Sequence, residues 1–363
     1  MDATPTFATS EPDATRTVDA TTGSSAGSGT RQASDPGAIM AAEMGEQPAV
    51  IDRLAERAAT DIAAIREITP DPLAGVVFVA RGSSDNAAVF GRYLAELSAN
   101  RPAGLAAPSL YTRYHAHVDW HGYLVIGLSQ SGATPEILTT CRAMRSAGAV
   151  TVGITNEPSS PIANQVDLLL STDAGAERAV PATKTMTAQM LLVSTVAAAL
   201  GGQDPATEGL AAAVTGVLAD TGPIEELASR WQNIDRLIVT GRGLAYAAAL
   251  EIALKVKETT GILAEGMSAA DLRHGPIATA FAGAPVLLID AGGPAAADTA
   301  ELAELLAERG AESVTMPLPS GLSEAATVIT AVVRGQQLAR ALALAKGTDP
   351  DSPTGLTKIT PTT

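Results

Sequence analysis

The sequence predicts an α/β protein of two similar units, each a mostly parallel sheet with helices on both faces. Short β-branched apolar runs alternate with polar turns and helical stretches, an order typical of βαβ units. Hydrophobic residues make up 46% of the 363 residues and aromatic residues only 3%, so the cores must be aliphatic. Motifs of the first half recur in the second half at one constant offset, which indicates a duplicated unit.

The composition excludes several classes of protein. Asp and Glu number 39 against 24 Lys and Arg, and a net charge of −15 argues against a nucleic-acid partner, which needs a basic face. A small phosphorylated ligand needs only a local group of donors. The single cysteine, Cys141, excludes a disulfide framework. Because the chain shows neither a membrane-length apolar run nor a signal sequence, we expect a cytoplasmic protein without a membrane partner.

The chain divides into five predicted segments. The first is polar and is expected to be disordered, because it cannot bury enough apolar surface to offset its ordering entropy. A helical lead-in follows, and a break at Gln47-Pro48 predicts two helices at an angle. The segments are a disordered tail (1–38), the lead-in (39–70), the first unit (71–202), the second unit (203–345) and a C-terminal tail expected to cover the active site (346–363).

The first unit alternates apolar runs with polar turns. Residues 76–80 predict a strand, and the polar turn 81–85 leads into a helix. Residues 123–128 predict a second strand, followed by the turn 129–134 and a helix over 135–147. Two further strands and a closing helix are predicted at 150–154, 166–170 and 184–200.

The second unit repeats these features. Residues 236–240 predict a strand that a helix follows. The Arg-Gly pair that begins at Arg81 recurs at Arg242. Gly293 follows Gly132 by the same number of residues. The turn that ends at Gly293 reads Asp-Ala-Gly-Gly and lacks the hydroxyls of the first unit. We therefore expect the first unit to bind the ligand.

The turn 129–134 predicts a phosphate site. It follows an apolar strand and opens a helix, whose first N–H groups and positive dipole end suit an anion. Three hydroxyls and one amide add neutral donors: Ser129, Gln130, Ser131 and Thr134. The alternative is ordinary helix N-capping by Ser131 or Thr134.

Ser83 and Ser84 follow the first strand in the same way, so the two turns should lie side by side. Their side chains are therefore candidates for the same ligand. A simple capped turn is the alternative.

Proton-transfer chemistry is predicted in the second unit and the tail. Glu251, Lys255 and Glu258 share one face of a helix, where solvated surface pairs are the alternative. His274, before a Gly-Pro turn, suits a proton shuttle. Lys358 lies between Leu and Ile in a tail that could fold over a pocket, where a lysine becomes a Schiff-base or acid–base candidate.

A metal site is the less favoured interpretation of a second histidine motif. His115, His117 and His121 form His-x-His-x-x-x-His without a nearby carboxylate pair in the usual arrangement. Neutral loop or edge-strand histidines are more common. We therefore predict no metal and no cofactor.

Taken together, these motifs resemble the SIS (sugar isomerase) family. They are Arg-Gly-Ser-Ser, Ser-Gln-Ser-Gly-x-Thr, Ala-Val-Pro-Ala-Thr-Lys at 179–184, the Lys-Val-Lys-Glu helix, Leu-Arg-His-Gly-Pro and the Leu-Thr-Lys tail. Within the family the chain is most similar to the isomerase halves of glutamine–fructose-6-phosphate amidotransferases and to stand-alone glucosamine-6-phosphate deaminases. The resemblance extends from about residue 40 to the end and implies two tandem SIS domains.

The resemblance also implies roles for individual residues. A sugar phosphate would be held by Ser84, Ser129, Gln130, Ser131 and Thr134. Val180 would contact the sugar through its backbone, and Ser83 and Lys255 would complete the sugar site. Glu258 would move a proton between C2 and C1. His274 would assist ring opening from the neighbouring subunit of a homodimer, and Lys358 would open the ring or form a Schiff base.

The chain departs from the amidotransferase pattern in two places. It shows no glutaminase domain with an N-terminal Cys, so we expect no glutamine-dependent synthesis. Pro181 stands before Ala-Thr-Lys, which is expected to reshape the sugar pocket. We therefore predict an amino-sugar 6-phosphate isomerase/deaminase that converts glucosamine 6-phosphate to fructose 6-phosphate and ammonia. The alternatives are a dehydratase acting by β-elimination on N-acetylglucosamine 6-phosphate, and a non-catalytic sugar-phosphate sensor.

Overall fold

Two parallel sheets organise the protein. The computed structural model describes residues 35–202 and 204–358, so residues 1–34 of the predicted disordered tail lie outside the described residues. The strands, in chain order, are β1 (Gly75–Val79), β2 (Ala103–Leu105), β3 (Tyr123–Leu128), β4 (Val150–Thr155), β5 (Leu168–Ser171), β6 (Arg236–Gly241), β7 (Leu263–Ser268), β8 (Pro285–Ile289) and β9 (Glu312–Thr315). The helices are α1 (Ala38–Gly45), α2 (Gln47–Ile68), α3 (Ser83–Ala99), α4 (Ser109–Thr112), α5 (Pro135–Ser146), α6 (Lys184–Ala199), α7 (Leu210–Ala219), α8 (Gly222–Trp231), α9 (Ala245–Thr260), α10 (Ala269–Arg273), α11 (Ala296–Glu308) and α12 (Glu324–Ala345).

The two sheets share one topology. The strand order is β2-β1-β3-β4-β5 in the first and β7-β6-β8-β9 in the second, and all neighbouring strands are parallel. Val77 lies opposite Val125 in the first sheet, and Ile238 lies opposite Val286 in the second. Ile238 follows Val77, and Val286 follows Val125, by the same number of residues that separates the two Arg-Gly pairs. The predicted duplication is therefore confirmed in strand order and in register.

Apolar helices join the two units. All residues of α6 are buried, including Lys184 and Gln189. It packs against α2 and α3, while α9 packs against α12 and also against α3. One large cluster of buried side chains extends through both units, from Val193 on α6 to Ile252 on α9. This packing brings α9 and α3 close to each other, which matters for the site.

The lead-in forms the two predicted helices, with Pro48 in the first turn of α2. The side chain of Gln47 is buried and donates through Nε2 to Gln336 Oε1 at 3.0 Å. It also accepts from the Thr187 hydroxyl at 2.9 Å. Because these partners lie on α12 and α6, the lead-in is bound to both units.

Two further findings concern membrane-spanning helices and the single cysteine. None of the described helices combines the length and the apolar character that crossing a bilayer requires. Cys141 lies on α5 and is fully buried, and this burial raises the pKa of its thiol to about 12. A thiol in that environment is unreactive and fills the core.

Candidate active site

A cavity of about 410 Å³ lies where β1 and β3 end. Ligands of open parallel sheets bind at the carboxyl ends of the strands, where loops diverge and helices begin. The turns after both strands line this cavity together with one face of α9 and the C-terminal tail. The lining residues are Arg81, Gly82, Ser83, Ser84, Leu128, Ser129, Gln130, Ser131, Thr134, Ile137, Val180, Ala182, Lys255, Glu258, Leu356, Thr357 and Lys358.

The turn after β3, residues 129–134, is here called the β3 turn. The loop after β4 donates hydrogen bonds to its backbone. The N–H of Asn156 donates to the Gln130 carbonyl at 3.0 Å, and the N–H of Ile162 donates to the Gly132 carbonyl at 3.0 Å. Gly132 has a φ of +59°, a conformation that glycine adopts without the cost that a Cβ imposes. The backbone of the turn is thus fixed on one side while its polar side chains line the cavity.

No side chain in the described part of the chain caps either helix that begins at the cavity. Thr134 precedes α5, but its hydroxyl lies 3.0 Å from Ser129 Oγ instead of accepting a helix N–H. Helix α3 follows Gly82, which has no side chain. Ser131 Oγ accepts from the N–H of Ala133, which precedes the helix. The capping alternative for Ser131 and Thr134 is therefore wrong, and the first N–H groups of both helices suit an anion.

Helix α9 contributes a cluster of charged side chains spaced one turn apart. Lys255 is 1% exposed; its Nζ contacts Glu258 Oε2 and lies 3.5 Å from Glu251 Oε1. Asn86 on α3 donates through Nδ2 to Glu251 Oε2 at 2.8 Å. Glu251 is fully buried, whereas Glu258 lines the cavity and keeps 24% of its side chain exposed. The cluster is therefore buried and not a solvated surface pair.

Burial sets the charges of this cluster. Desolvation raises the pKa of Glu251, and the opposing effects of Lys255 and Asn86 leave it above its usual value. Desolvation alone would lower the pKa of Lys255, but its attraction to Glu251 and Glu258 outweighs that effect, and the pKa is raised. Lys255 thus lies between Glu251, whose pKa is raised, and Glu258, which lines the cavity.

The remaining wall comes from the loop between β5 and α6 and from the C-terminal tail. The N–H of Val180 donates to the Asp351 carbonyl at 3.0 Å. The Asp351 carboxylate accepts in turn from the N–H of Met40 at 2.7 Å, in the first turn of α1. Farther along the tail, Lys358 Nζ donates to the Ala179 carbonyl at 2.8 Å. These bonds join the lead-in, the loop and the tail at the cavity.

Ten of the eleven residues predicted for the site line this one cavity. They are Ser83, Ser84, Ser129, Gln130, Ser131, Thr134, Val180, Lys255, Glu258 and Lys358. His274 does not line it, because it lies exposed at the C-terminal end of α10. Its predicted place is the cavity of a neighbouring subunit, so its role stays a prediction.

Arg81 lines the cavity although the sequence analysis did not assign it to the site. Its Nε donates to Glu136 Oε2 at 2.9 Å. In the second unit, Arg242 Nε donates to Asp298 Oδ2 at the same distance, 2.9 Å. Because this pair recurs in a unit that lacks the hydroxyl-rich turn, we assign it a structural role. In each unit it ties the turn after one strand to the helix that follows the neighbouring strand, α5 or α11. The repeated Arg-Gly motif was the signal for it in the sequence.

The matching turn of the second unit is unsuited to phosphate. Gly293 has a φ of +70° and occupies the position of Gly132. A Cβ on Gly293 would lie 2.5 Å from Glu324 Cδ, so the Glu324 carboxylate lies against the turn. Asp290 adds a second carboxylate, which accepts from the N–H of Gly292 at 2.9 Å. Two carboxylates repel an anion, in line with the expectation that the first unit binds the ligand.

The histidine motif does not converge. His121 Nδ1 lies 2.5 Å from Asp119 Oδ1, and both side chains are largely exposed. His115 and His117 line a separate cavity beside Tyr111. Within residues 35–202 and 204–358, no three His, Cys, Asp or Glu side chains are grouped to hold a metal ion.

Comparison with known proteins points to one family. The family model for the SIS domain matches residues 75–199 and 232–333. The chain is 31% identical over 354 residues to a glutamine–fructose-6-phosphate aminotransferase [isomerizing] from Zymomonas mobilis, covering 88% of this chain and 58% of that protein. The chain thus spans between half and three-fifths of the length of the curated relatives that it matches.

Solved structures show the same fold. The C-terminal domain of glucosamine-fructose-6-phosphate aminotransferase from Francisella tularensis superposes with a TM-score of 0.78 at 26% identity, covering 87% of this chain and 98% of that one. Glucosamine-6-phosphate deaminase from Thermotoga maritima superposes with a TM-score of 0.68 at 20% identity, covering 88% and 99%. The second likeness is one of fold alone.

Proposed function

The chain belongs to the SIS domain family, and on that premise we propose that it is an amino-sugar 6-phosphate isomerase/deaminase. In the proposed reaction, glucosamine 6-phosphate and water give fructose 6-phosphate and ammonia. One observation carries the proposal: the hydroxyl-rich β3 turn and the Glu258 carboxylate line the same cavity. A phosphate bound at the turn holds the sugar in reach of that carboxylate, which makes the proton transfer intramolecular.

In this proposal the phosphate binds where α3 and α5 begin. Neutral hydroxyl and amide donors and the two uncapped helix starts bind it without a basic side chain. The phosphate ligands in this assignment are Ser84, Ser129, Gln130, Ser131 and Thr134. Binding energy from the phosphate, remote from the reacting carbons, orients C1 and C2.

The proposed chemistry takes place at C1 and C2. Ring opening, assisted by Lys358 and by His274 of a partner subunit, exposes a C1 aldehyde that acidifies the C2–H bond. Glu258 removes the C2 proton and returns it to C1 through an enolamine. The product carries an imine at C2, which water hydrolyses to the ketone and ammonia. Deamination therefore needs no side chain beyond those that isomerise the sugar.

The neighbours of Glu258 complete the proposed site. Lys255 contacts the Glu258 carboxylate and keeps it oriented toward the cavity. Ser83 and the backbone at Val180 also line the cavity, where the sugar hydroxyls would lie.

The decisive experiment is NMR of the purified protein with a panel of hexosamine and N-acetylhexosamine 6-phosphates in turn. We expect fructose 6-phosphate and ammonia to form from glucosamine 6-phosphate. An unsaturated N-acetyl sugar phosphate, formed from N-acetylglucosamine 6-phosphate, would instead identify the dehydratase. Absence of turnover by the folded protein on the whole panel would contradict both enzymatic functions and leave the sensor.

We also propose a homodimer in which His274 acts in the partner's cavity. Co-expression of two differently tagged variants, Glu258→Gln and His274→Ala, followed by two affinity steps, yields mixed dimers. Each mixed dimer holds one intact site, so we expect about half of the wild-type activity, as a two-fold symmetric assembly requires. Each variant alone is expected to be almost inactive.

The mixed dimer distinguishes the two possible locations of the histidine. If His274 acted within its own chain, neither site of the mixed dimer would be intact and the activity would stay at the level of the separate variants. A dimer that carries Glu258→Gln under both tags is the matched control for the purification.

A further inference from the structure

Glu177 is a buried carboxylate beside the cavity to which neither the motifs nor the comparisons assign a role. It lies on the loop between β5 and α6, and its side chain is 0% exposed. Its Oε1 accepts from the N–H groups of Thr183 at 2.9 Å and Thr185 at 3.1 Å, and its Oε2 accepts from the Thr185 hydroxyl at 2.7 Å. A buried carboxylate with this many donors is a fixed anion.

The fourth partner of Glu177 comes from the far end of the chain. Lys358 Nζ donates to Glu177 Oε2 at 2.8 Å and to the Ala179 carbonyl at 2.8 Å. Residues 354–357 before it are exposed, and Lys358 itself lines the cavity. These bonds direct two of the three N–H donors of the ammonium group toward the loop. Among residues 35–202 and 204–358 no hydrogen bond occupies the third donor, which can turn toward a ligand in the cavity.

The charge of Glu177 is stabilised by this arrangement. Burial alone would raise the pKa of its carboxyl, but the nearby Lys358 ammonium and the hydrogen bonds from Thr183 and Thr185 outweigh it and lower the pKa. An ionised Glu177 faces Lys358 across a short, charge-assisted hydrogen bond.

We propose that Glu177 is a positioning residue that fixes the Lys358 ammonium group at the cavity, with one N–H donor directed to the substrate. The catalytic part of this inference rests on the proposed function, in which Lys358 acts on the sugar. The geometric part, that Glu177 holds Lys358, concerns the free protein.

Glu177→Gln separates this role from simple support of the loop. The amide oxygen of a glutamine can keep both backbone N–H bonds at the position of Oε1. Its amide nitrogen then takes the place of Oε2, where it can donate to the Thr185 hydroxyl. It cannot accept from the Lys358 ammonium group, because both groups are donors. The variant therefore removes the bond to the lysine and spares the loop.

Glu43→Gln is the matched control. Glu43 is 3% exposed, and its carboxylate accepts from the N–H of Arg178 at 2.5 Å and of Ala179 at 3.3 Å. It thus supports the same loop through backbone bonds, and its hydrogen bonds do not involve Lys358.

The first measurement needs no substrate. In competitive labelling with acetic anhydride read by mass spectrometry, we expect wild-type Lys358 to react more slowly than the exposed Lys257. Glu177→Gln should raise Lys358 labelling by roughly tenfold, the scale of one hydrogen bond to a charged group, and Glu43→Gln should not. Equal labelling of Lys358 and Lys257 in the wild type overturns the proposal even if Glu177→Gln fails to fold. So does an equal increase in both variants.

The second measurement tests the catalytic part. With glucosamine 6-phosphate, Glu177→Gln should lower kcat by at least about tenfold with little change in KM, because the phosphate contacts are untouched. Glu43→Gln should change neither. An unchanged kcat in Glu177→Gln overturns the positioning role. If the wild type itself shows no turnover, the proposed function fails, while the labelling still decides whether Glu177 holds Lys358.

Discussion

Glu258→Gln is expected to lower kcat for glucosamine 6-phosphate by about 10²–10⁴-fold, the usual contribution of a general base. Glutamine has the size of glutamate and can still accept from Lys255, but it cannot take the proton from C2. The β3 turn is unchanged, so the affinity for the sugar phosphate should change little. Initial rates give kcat, and isothermal titration calorimetry of the variant gives the affinity. Exchange of the C2 hydrogen with solvent D₂O, followed by NMR, reports the proton transfer directly.

Glu251→Gln is the matched control within the same cluster. Glu251 lies on the same helix beside the same lysine, but it is fully buried and does not line the cavity. Burial raises the pKa of its carboxyl, so a neutral glutamine at this position removes a charge that burial disfavours. Loss of one charge-assisted contact to Lys255 should lower kcat by no more than about tenfold.

The comparison of the two variants tests the mechanism. If Glu258→Gln kept kcat within the range of Glu251→Gln, the carboxylate in the cavity would not be the base. If Glu258→Gln bound the ligand and the wild type showed neither turnover nor C2 exchange, the sensor would be favoured over the enzyme.

The strands next to the site could be predicted because their sequence signal is local. Apolar runs end at polar turns, and the structure places β1 at Gly75–Val79 and β3 at Tyr123–Leu128, within one residue of the predictions. In the second unit, Val286 of β8 follows Val125 of β3 by the offset that relates the two Arg-Gly pairs, because a duplicated unit preserves strand register. Two edge strands, β2 and β7, could not be predicted in this way. β2 has only three residues, and β7 carries an exposed Leu263, so neither shows the continuous apolar run of a buried parallel strand.

The charged cluster of the site was predictable for the same reason. Glu251, Lys255 and Glu258 are spaced by one helical turn, so the sequence alone places them on one face. Their burial was not predictable, because it depends on Asn86 and on the packing of α9 against α3.

Glu177 could not be found from the sequence. Its partner Lys358 lies 181 positions later in the chain, and no motif spacing connects two residues that far apart. Only the folded chain, which returns the tail to the loop after β5, brings the two charges together. Sequence motifs thus predicted the groups that are proposed to touch the substrate, and the structure was needed to find the group that is proposed to orient one of them.

Gly132→Ala is expected to disable ligand binding and to destabilise the fold by about 2–5 kcal/mol, the sum of left-handed strain and overpacking. Gly132 has a φ of +59°, and a Cβ there would collide with Ser160 Oγ and lie 2.8 Å from Thr155 Oγ1. Both neighbours belong to the β4 side, where the N–H of Ile162 donates to the Gly132 carbonyl at 3.0 Å. The turn can make room only by moving away from β4, which displaces its hydroxyls from the cavity.

Gly347→Ala is the matched control, because Gly347 has a φ of +74° but nothing within 4 Å of an added methyl group, and it lies beyond the site. It should cost about 1–2 kcal/mol in urea unfolding, from backbone strain alone. Wild type and Gly347→Ala should both gain thermal stability from glucosamine 6-phosphate, by mass action, whereas Gly132→Ala should gain none. A Gly132→Ala protein that keeps the ligand-induced gain would show that the phosphate binds elsewhere, and the assignment of the β3 turn would then be wrong.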